Sequence, residues 1–207
     1  MIEADGFLTS LRSGKVVRVR PIQPADKSSL TAGYEQLSDE SRYARFLAKR
    51  DSLNERLLAY LTEIDQVDHV AWGVGLPDHK VGEPGIAVAR FVRLPDAPHV
   101  AEFALTVADD YQRQGVGTLS LALLYHLARQ QGDIAKLRGM VGVDNRWMIA
   151  WMFLLGANAR PVGSGLMQME IAITNKPELP ENRAAQRFCD ALWQIETQLA
   201  AGFRWAT

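Results

Sequence analysis

The chain has 207 residues, of which 47% are apolar and 23% charged, and its formal net charge is −1. This is enough apolar material for one buried core, and the balanced charge argues against a large non-specific nucleic-acid surface. No apolar run approaches the roughly 20 residues of a membrane span, and Met1 to Gly6 lacks a basic region leading into an apolar stretch, so neither a spanning helix nor an export signal is expected.

The predicted elements alternate between strands and helices. Lys15 to Ile22 alternates apolar with polar residues and reads as a strand stopped by Pro21 and Pro24. A short helix follows over Ala25–Leu37, then a turn and a helical piece over Ser38–Phe46. Asp51 or Ser52 is placed to cap a helix carrying Leu57, Leu58 and Leu61. Val70–Val74 reads as a strand, Pro77–Gly85 as a loop, and Ile86–Val92 and Val100–Val107 as a hairpin turning at Pro95–Pro98. Leu119–Ala128 is helical, Leu137–Val143 a strand, and Arg146–Leu155 a helix ended by Gly156. Met167–Ile173 is a late strand. From Glu181 to Phe203, the residues Phe188, Leu192, Ile195 and Leu199 form a one-faced apolar stripe. That stripe predicts a helix docked on the same domain, with a second copy or a partner as the alternative cover. The expected organisation is one domain over residues 1–176 and a helical extension over residues 177–207.

The only cysteine, Cys189, lies in that last helix. It excludes an intrachain disulfide, fits a reducing cytoplasm, and reads as a half-buried structural thiol. His69, His79, His99 and His126 are scattered without ligand spacing, so no metal site is expected.

The most informative stretch is Val107-Ala-Asp-Asp-Tyr-Gln-Arg-Gln-Gly-Val-Gly-Thr118. It reads as a strand end, a polar turn, a glycine-containing loop and a helix start. N–H groups at a helix start have no helix partner, and with the helix dipole they favour a bound phosphate or pyrophosphate. A side chain at Gly115 or Gly117 would hold such a ligand off the backbone. A nucleotide phosphate loop would end in Gly-Lys-Ser/Thr, which is absent. A dinucleotide fingerprint would need a third glycine where Ser120 stands.

The spacing Gln112-x-x-Gly115-x-Gly117 resembles the acyl-CoA signature of the GNAT N-acetyltransferase superfamily. The resemblance implies a mixed, mostly antiparallel α/β sheet flanked by helices and splayed open between its fourth and fifth strands, here Val100–Val107 and Leu137–Val143. It implies acetyl-CoA as cofactor. The pantetheine arm would lie near Leu105 and Val107, the pyrophosphate on Arg113, Gln114, Gly115, Val116, Gly117 and Thr118. Asn145 reads as a helix N-cap, and the resemblance adds a contact with the CoA arm.

Acetyl transfer to an amine needs a base, because a lysine ammonium of pKa about 10.4 is not a nucleophile. Glu102 is the candidate. It shares a strand face with Ala104 and Thr106, between apolar neighbours, and burial there would raise its pKa toward the range of a general base. The alternative is a structural ion pair with Arg90 or Arg93. A backbone N–H near Leu105 is the expected donor to the thioester oxygen. Many family members use a tyrosine in the helix after the fifth strand as general acid; Arg146–Gly156 contains none, so that role is unassigned.

Further segments resemble the Pat-type protein lysine acetyltransferases: Leu37–Phe46, Tyr60–Asp65, Asp68–Trp72, Ala89–Arg93, Ala101–Ala104 and Asn145-x-x-Met148. The resemblance spans roughly Val17 to Gly156. It implies a protein lysine as acceptor, for example on an acyl-CoA synthetase, with a small amine or a silent acyl-CoA-binding module as alternatives. Some members carry a cyclic-nucleotide-binding domain fused ahead of the acetyltransferase; with only a short segment before the first strand, fused cyclic-nucleotide control is not expected here. Arg42 and Arg45 fall where the acceptor cleft is bordered, although a solvated helix face is the plainer reading. Neither a nucleic-acid nor a membrane partner is expected, and a homodimer through the last helix remains an open alternative.

Overall fold

The computed structural model describes residues 6–202, with side chains to residue 200. The strands are β1 (Phe7–Ser10), β2 (Val16–Pro21), β3 (His69–Gly75), β4 (Ala87–Leu94), β5 (Ala97–Val107), β6 (Lys136–Gly142), β7 (Asn158–Gly163) and β8 (Leu166–Ala172). The helices are α1 (Lys27–Glu35), α2 (Asp39–Phe46), α3 (Glu55–Thr62), α4 (Val116–Gln131), α5 (Arg146–Leu154) and α6 (Arg183–Gly202). All eight strands join one sheet in the order β1-β2-β3-β4-β5-β6-β8-β7. Every neighbouring pair is antiparallel except β5 and β6. This is the mixed α/β architecture expected.

Strand alternation assigns the two faces. Ala89, Phe91, Ala101 and Phe103 are buried in one cluster with the apolar side of α4. Behind α4 lies α6, whose Phe188 meets Tyr125 edge-on at 5.6 Å and whose Glu196 pairs with Arg129. Gln194 of α6 also donates to the Thr9 hydroxyl at 2.5 Å, tying the helix to β1. The stripe read from the sequence is therefore covered by the chain's own domain over the described residues; the expected end at Phe203 lies outside them. Cys189 does not follow the stripe and is exposed, not half-buried. It sits one helical step past Phe188 and is turned off the packed face.

On the opposite face lie α1, α2 and α3. The cap of α3 is Asn54, which accepts from the Leu57 N–H at 2.9 Å, rather than Asp51 or Ser52. Its offset of three residues suits the N3 donor. Ser38 caps α2 in the same way, accepting from Ser41 N–H at 3.2 Å.

The sheet opens between β5 and β6. Their parallel pairing covers only Val100–Lys136, Ala101–Leu137 and Glu102–Arg138. Just past that last rung, a Cβ placed on Gly139 would come within 2.8 Å of the Phe103 ring. The ring therefore uses space that any other residue at 139 would need, and it stands as a wedge at the fork. Because β1 is an additional strand, the splay falls between the fifth and sixth strands in chain order, not the fourth and fifth.

Candidate active site

The fork opens into a cleft of about 1890 Å³. Its floor is the unpaired end of β5. Ala108 N–H bonds to the carbonyl of Ile86, just ahead of β4, at 2.9 Å. Successive strand residues alternate their hydrogen-bonding side, so the N–H and C=O groups of Leu105 and Val107 face the opening. Both residues line the cleft.

The loop from Gln112 to Gly115 forms one end. Arg113 (φ +60°) and Gly115 (φ +94°) are left-handed, and together they turn the chain into α4. Gly115 is the N-cap, with no side-chain cap hydrogen bond, and the first turn closes only with Leu119 N–H to the Gly115 carbonyl at 3.0 Å. Among the described residues, no hydrogen-bond acceptor takes the N–H groups of Arg113 to Thr118. Such donors at a helix start, with the positive end of the dipole behind them, suit an anion. Gly117 needs neither a left-handed backbone nor a close neighbour to explain it, and a Cβ there would meet nothing within 4 Å. A side chain at 117 would enter the cleft. The open space beside Gly117 and the unclaimed N–H groups next to it fit a phosphate-bearing cofactor.

Gln112 lines the cleft, but its side chain is engaged within the protein. It donates to Asp109 at 2.8 Å and to the Ser41 hydroxyl at 3.1 Å. Asp109 also accepts from Ser38 N–H at 2.7 Å and Ser41 hydroxyl at 2.5 Å. Burial would raise the Asp109 carboxyl, but its hydrogen bonds from Ser41, Ser38 and Gln112 outweigh that and hold it below the usual carboxylate range. This knot pins α2 to the glycine loop. Arg113, Gln114 and Thr118 line the cleft, whereas Val116 points into the core, only 1% exposed. Only its N–H can serve a ligand.

Asn145 lines the opposite wall and caps α5, accepting from Met148 N–H at 3.1 Å. Beyond it stand Trp147 and Trp151. Trp147 is 81% exposed, a large apolar surface at the mouth of the cleft. The sequence reading missed the contribution of α6, where Arg187 and Gln194 line the cleft. No motif marks them; they are brought in by the docking of Phe188.

Glu102 stands at the fork, opposite Arg138 on β6 and Val92 on β4. The burial expected of it is not found: Glu102 is exposed. Its apolar chain neighbours Ala101 and Phe103 point through the sheet to the α4 side, and its own face is open at this point. The ion pair offered as an alternative is also absent. Arg93 is held by Asp68 (2.9 Å) and Asp133 (3.0 Å), and Arg90 by His69 and the Leu61 carbonyl. The cation in Glu102's electrostatic surroundings is Arg45; burial lowers its pKa from the usual value, and Tyr60 and Glu102 act in the opposite direction. Arg45 lines the cleft rather than a solvated face, and Arg42 reaches back to the Tyr34 carbonyl at 3.1 Å. Tyr43 of α2 also lines the cleft.

The model of the acetyltransferase (GNAT) family matches residues 25–152. The chain is 33% identical over 170 residues to "Acetyltransferase Pat" of Mycolicibacterium smegmatis, covering 82% of this chain and 50% of that protein. It is 30% identical over 145 residues to "Acetyltransferase PA5475" of Pseudomonas aeruginosa, covering 70% of this chain and 74% of that one. The chain thus spans half the length of the mycobacterial relative. Among solved structures, the GNAT domain of S. lividans PAT superposes with a TM-score of 0.71 at 31% identity, over 80% of this chain and 95% of that domain. The chain belongs to the acetyltransferase (GNAT) family.

Proposed function

We propose that the protein is an acetyl-CoA-dependent N-acetyltransferase that modifies a lysine side chain of another protein. The observation that carries the reading is the junction at the fork. A glycine loop with unclaimed N–H groups and the edge of β5 that faces the opening meet in one cleft, and Glu102 stands beside it at the last rung, next to the lining residues Phe103 and Ala104.

When bound, acetyl-CoA supplies an activated acetyl group as a thioester. The N–H groups of Arg113 to Thr118 would hold the pyrophosphate, and Leu105 and Val107 would hold the pantetheine arm as an added strand is held. Asn145 would orient the arm from the start of α5. Glu102 takes the proton of the incoming ammonium, directly or through one water, and so frees the lone pair for attack. A β5 N–H facing the opening, at or near Leu105, donates to the oxygen on which charge develops. The exposure of Glu102 supports a large acceptor that arrives from solvent and covers the carboxylate itself. The resemblance of Leu37–Phe46, Asp68–Trp72 and Ala101–Ala104 to Pat-type protein lysine acetyltransferases supports the same class of acceptor. A cytoplasmic location fits the free thiol and the use of acetyl-CoA.

The test is thiol release from acetyl-CoA by the purified protein, with small amines and with candidate proteins such as an acyl-CoA synthetase. Release with a protein only, with an acetyl mass shift on one lysine, supports the reading. Release with a small amine transfers it to small-molecule acetylation. CoA binding without turnover on any acceptor in the panel counts for a silent acyl-CoA-binding module.

A further inference from the structure

A second cavity adjoins the cleft, sharing Arg45 and Thr106 with it, between α1–α3 and the face of β2, β3 and β4. Its volume is about 110 Å³, well above the roughly 10–15 Å³ that one water needs. Much of its wall is apolar, including Leu30, Leu37, Phe46, Leu61 and Ile86. The charged residues on it are nearly all of one sign: Arg18, Arg20, Arg45 and Arg90 against Asp26 alone. Asp26 is committed elsewhere, because Arg20 grips both its oxygens at 2.6 and 2.7 Å and Gln23 N–H adds a third bond at 2.8 Å.

Arg90 is the anomaly. It sits mid-strand on β4 and is only 4% exposed. One terminal nitrogen donates to the Leu61 carbonyl at 3.2 Å and the other meets His69 Nε2 at 2.9 Å. Its Nε has no partner at all. A buried cation is strongly unfavourable unless an anion faces it, and no carboxylate contacts Arg90 among the described residues. The group in its electrostatic range with a full charge is Arg45, of the same sign. Burial first, and then Arg45, push Arg90 down to about 9. His69 offers no negative charge either: burial, Arg90 and Arg45 hold it neutral, down to about 4.

We propose that this cavity is a binding site for a small monocarboxylate with an apolar body, its carboxylate carried by Arg90 and Arg45. A planar carboxylate matches the guanidinium fork, and the aliphatic wall suits a short hydrocarbon body better than it suits a doubly charged, strongly hydrated phosphate. Arg45 also lines the larger cleft, so an occupant would share that side chain with the site near Glu102.

The test is isothermal titration calorimetry with hexanoate and with benzoate, without any acyl-CoA present, so that its outcome does not depend on acetyl transfer. Hexanol supplies the apolar body alone, and inorganic phosphate supplies the charge alone. Saturable binding of a carboxylate, with neither hexanol nor phosphate binding, is expected. Arg90→Met should weaken it by about tenfold or more, the value of a charge-assisted hydrogen-bonded contact. If Arg90→Met does not fold, Gly33→Leu replaces it. A Cβ at Gly33 has ordinary space, 3.9 Å from its nearest neighbour, and the longer side chain would fill the cavity and abolish binding. Absence of saturable binding by both carboxylates, binding of phosphate as tight as that of hexanoate, or binding unchanged in the variant that folds would overturn the proposal.

Discussion

Glu102 and Arg138 face each other across the last rung that joins β5 to β6, and beyond them the two strands part. The guanidinium of Arg138 is turned to the other side, where its Nε donates to Glu170 at 2.9 Å. Glu102 is left without an ion pair at the mouth of the opening among the described residues. A carboxylate held at a fork but not neutralised there is free to accept a proton from an arriving amine.

Gly117 provides a test of the cofactor cleft that leaves the fold intact. A Cβ there enters open space, so Gly117→Leu should keep or raise the melting temperature, since glycine is a poor helix former. The same side chain blocks the N–H groups of the first turn. Acetyl-CoA affinity should fall by about 10–100-fold, the worth of one or two charge-assisted hydrogen bonds. Calorimetric titration of the variant checks both the affinity and, with a thermal scan, the stability.

Asp109 should matter for stability and for the shape of the loop. Asp109→Ala strips acceptors from Ser38, Ser41 and Gln112 together. A loss of about 1–3 kcal/mol is expected in denaturant unfolding. The carboxyl is held below its ordinary value of 3.8 in the fold, so its stabilising share is full above that pH and disappears as pH falls through the folded value. The variant should therefore lose its disadvantage against the native protein only in strong acid.

His69 predicts an acid sensitivity at a different pH. Its pKa is lowered from 6.5 to about 4 by burial and by Arg90 and Arg45. Below pH 6.5 the unfolded chain binds a proton at this position that the folded chain refuses, so stability falls with pH down to about 4 and then levels for this group. His69→Gln, which keeps an acceptor for Arg90, should flatten the pH dependence of the melting temperature in that window. An unchanged slope would show that the imidazole is not held neutral.

Phe188 tests whether the last helix is part of the domain. It is 1% exposed and packs edge-on against Tyr125 of α4. Phe188→Ala should cost about 3–5 kcal/mol in a single cooperative unfolding transition. A second, separate transition lost in the variant would mean that α6 folds as an independent extension.

The loop and the elements that flank it were legible because their signals are local. Positive φ at Gly115, a strand before it and an apolar helix after it are all written within about a dozen residues. The same holds for Asn145, whose offset to Met148 is a capping offset. β1 and β7 were not legible. Phe7–Ser10 is four residues long and Asn158–Gly163 is nearly all exposed with a proline inside, so neither shows a two-residue rhythm. The cleft wall from α6 depends on tertiary docking, which no local pattern encodes. Glu102 was misread for a related reason. Apolar neighbours in sequence belong to the other face of a strand, and burial is decided by what lies across the sheet, which only pairing reveals.

We propose Glu102 as the base for acetyl transfer at the edge of the cleft. Single-turnover thiol release by Glu102→Gln, measured beside its acetyl-CoA affinity, separates that role from cofactor binding. The expected result is a rate reduced by about 10²–10⁴-fold at neutral pH with acetyl-CoA affinity unchanged. Transfer at the native rate by the variant would remove Glu102 from the reaction.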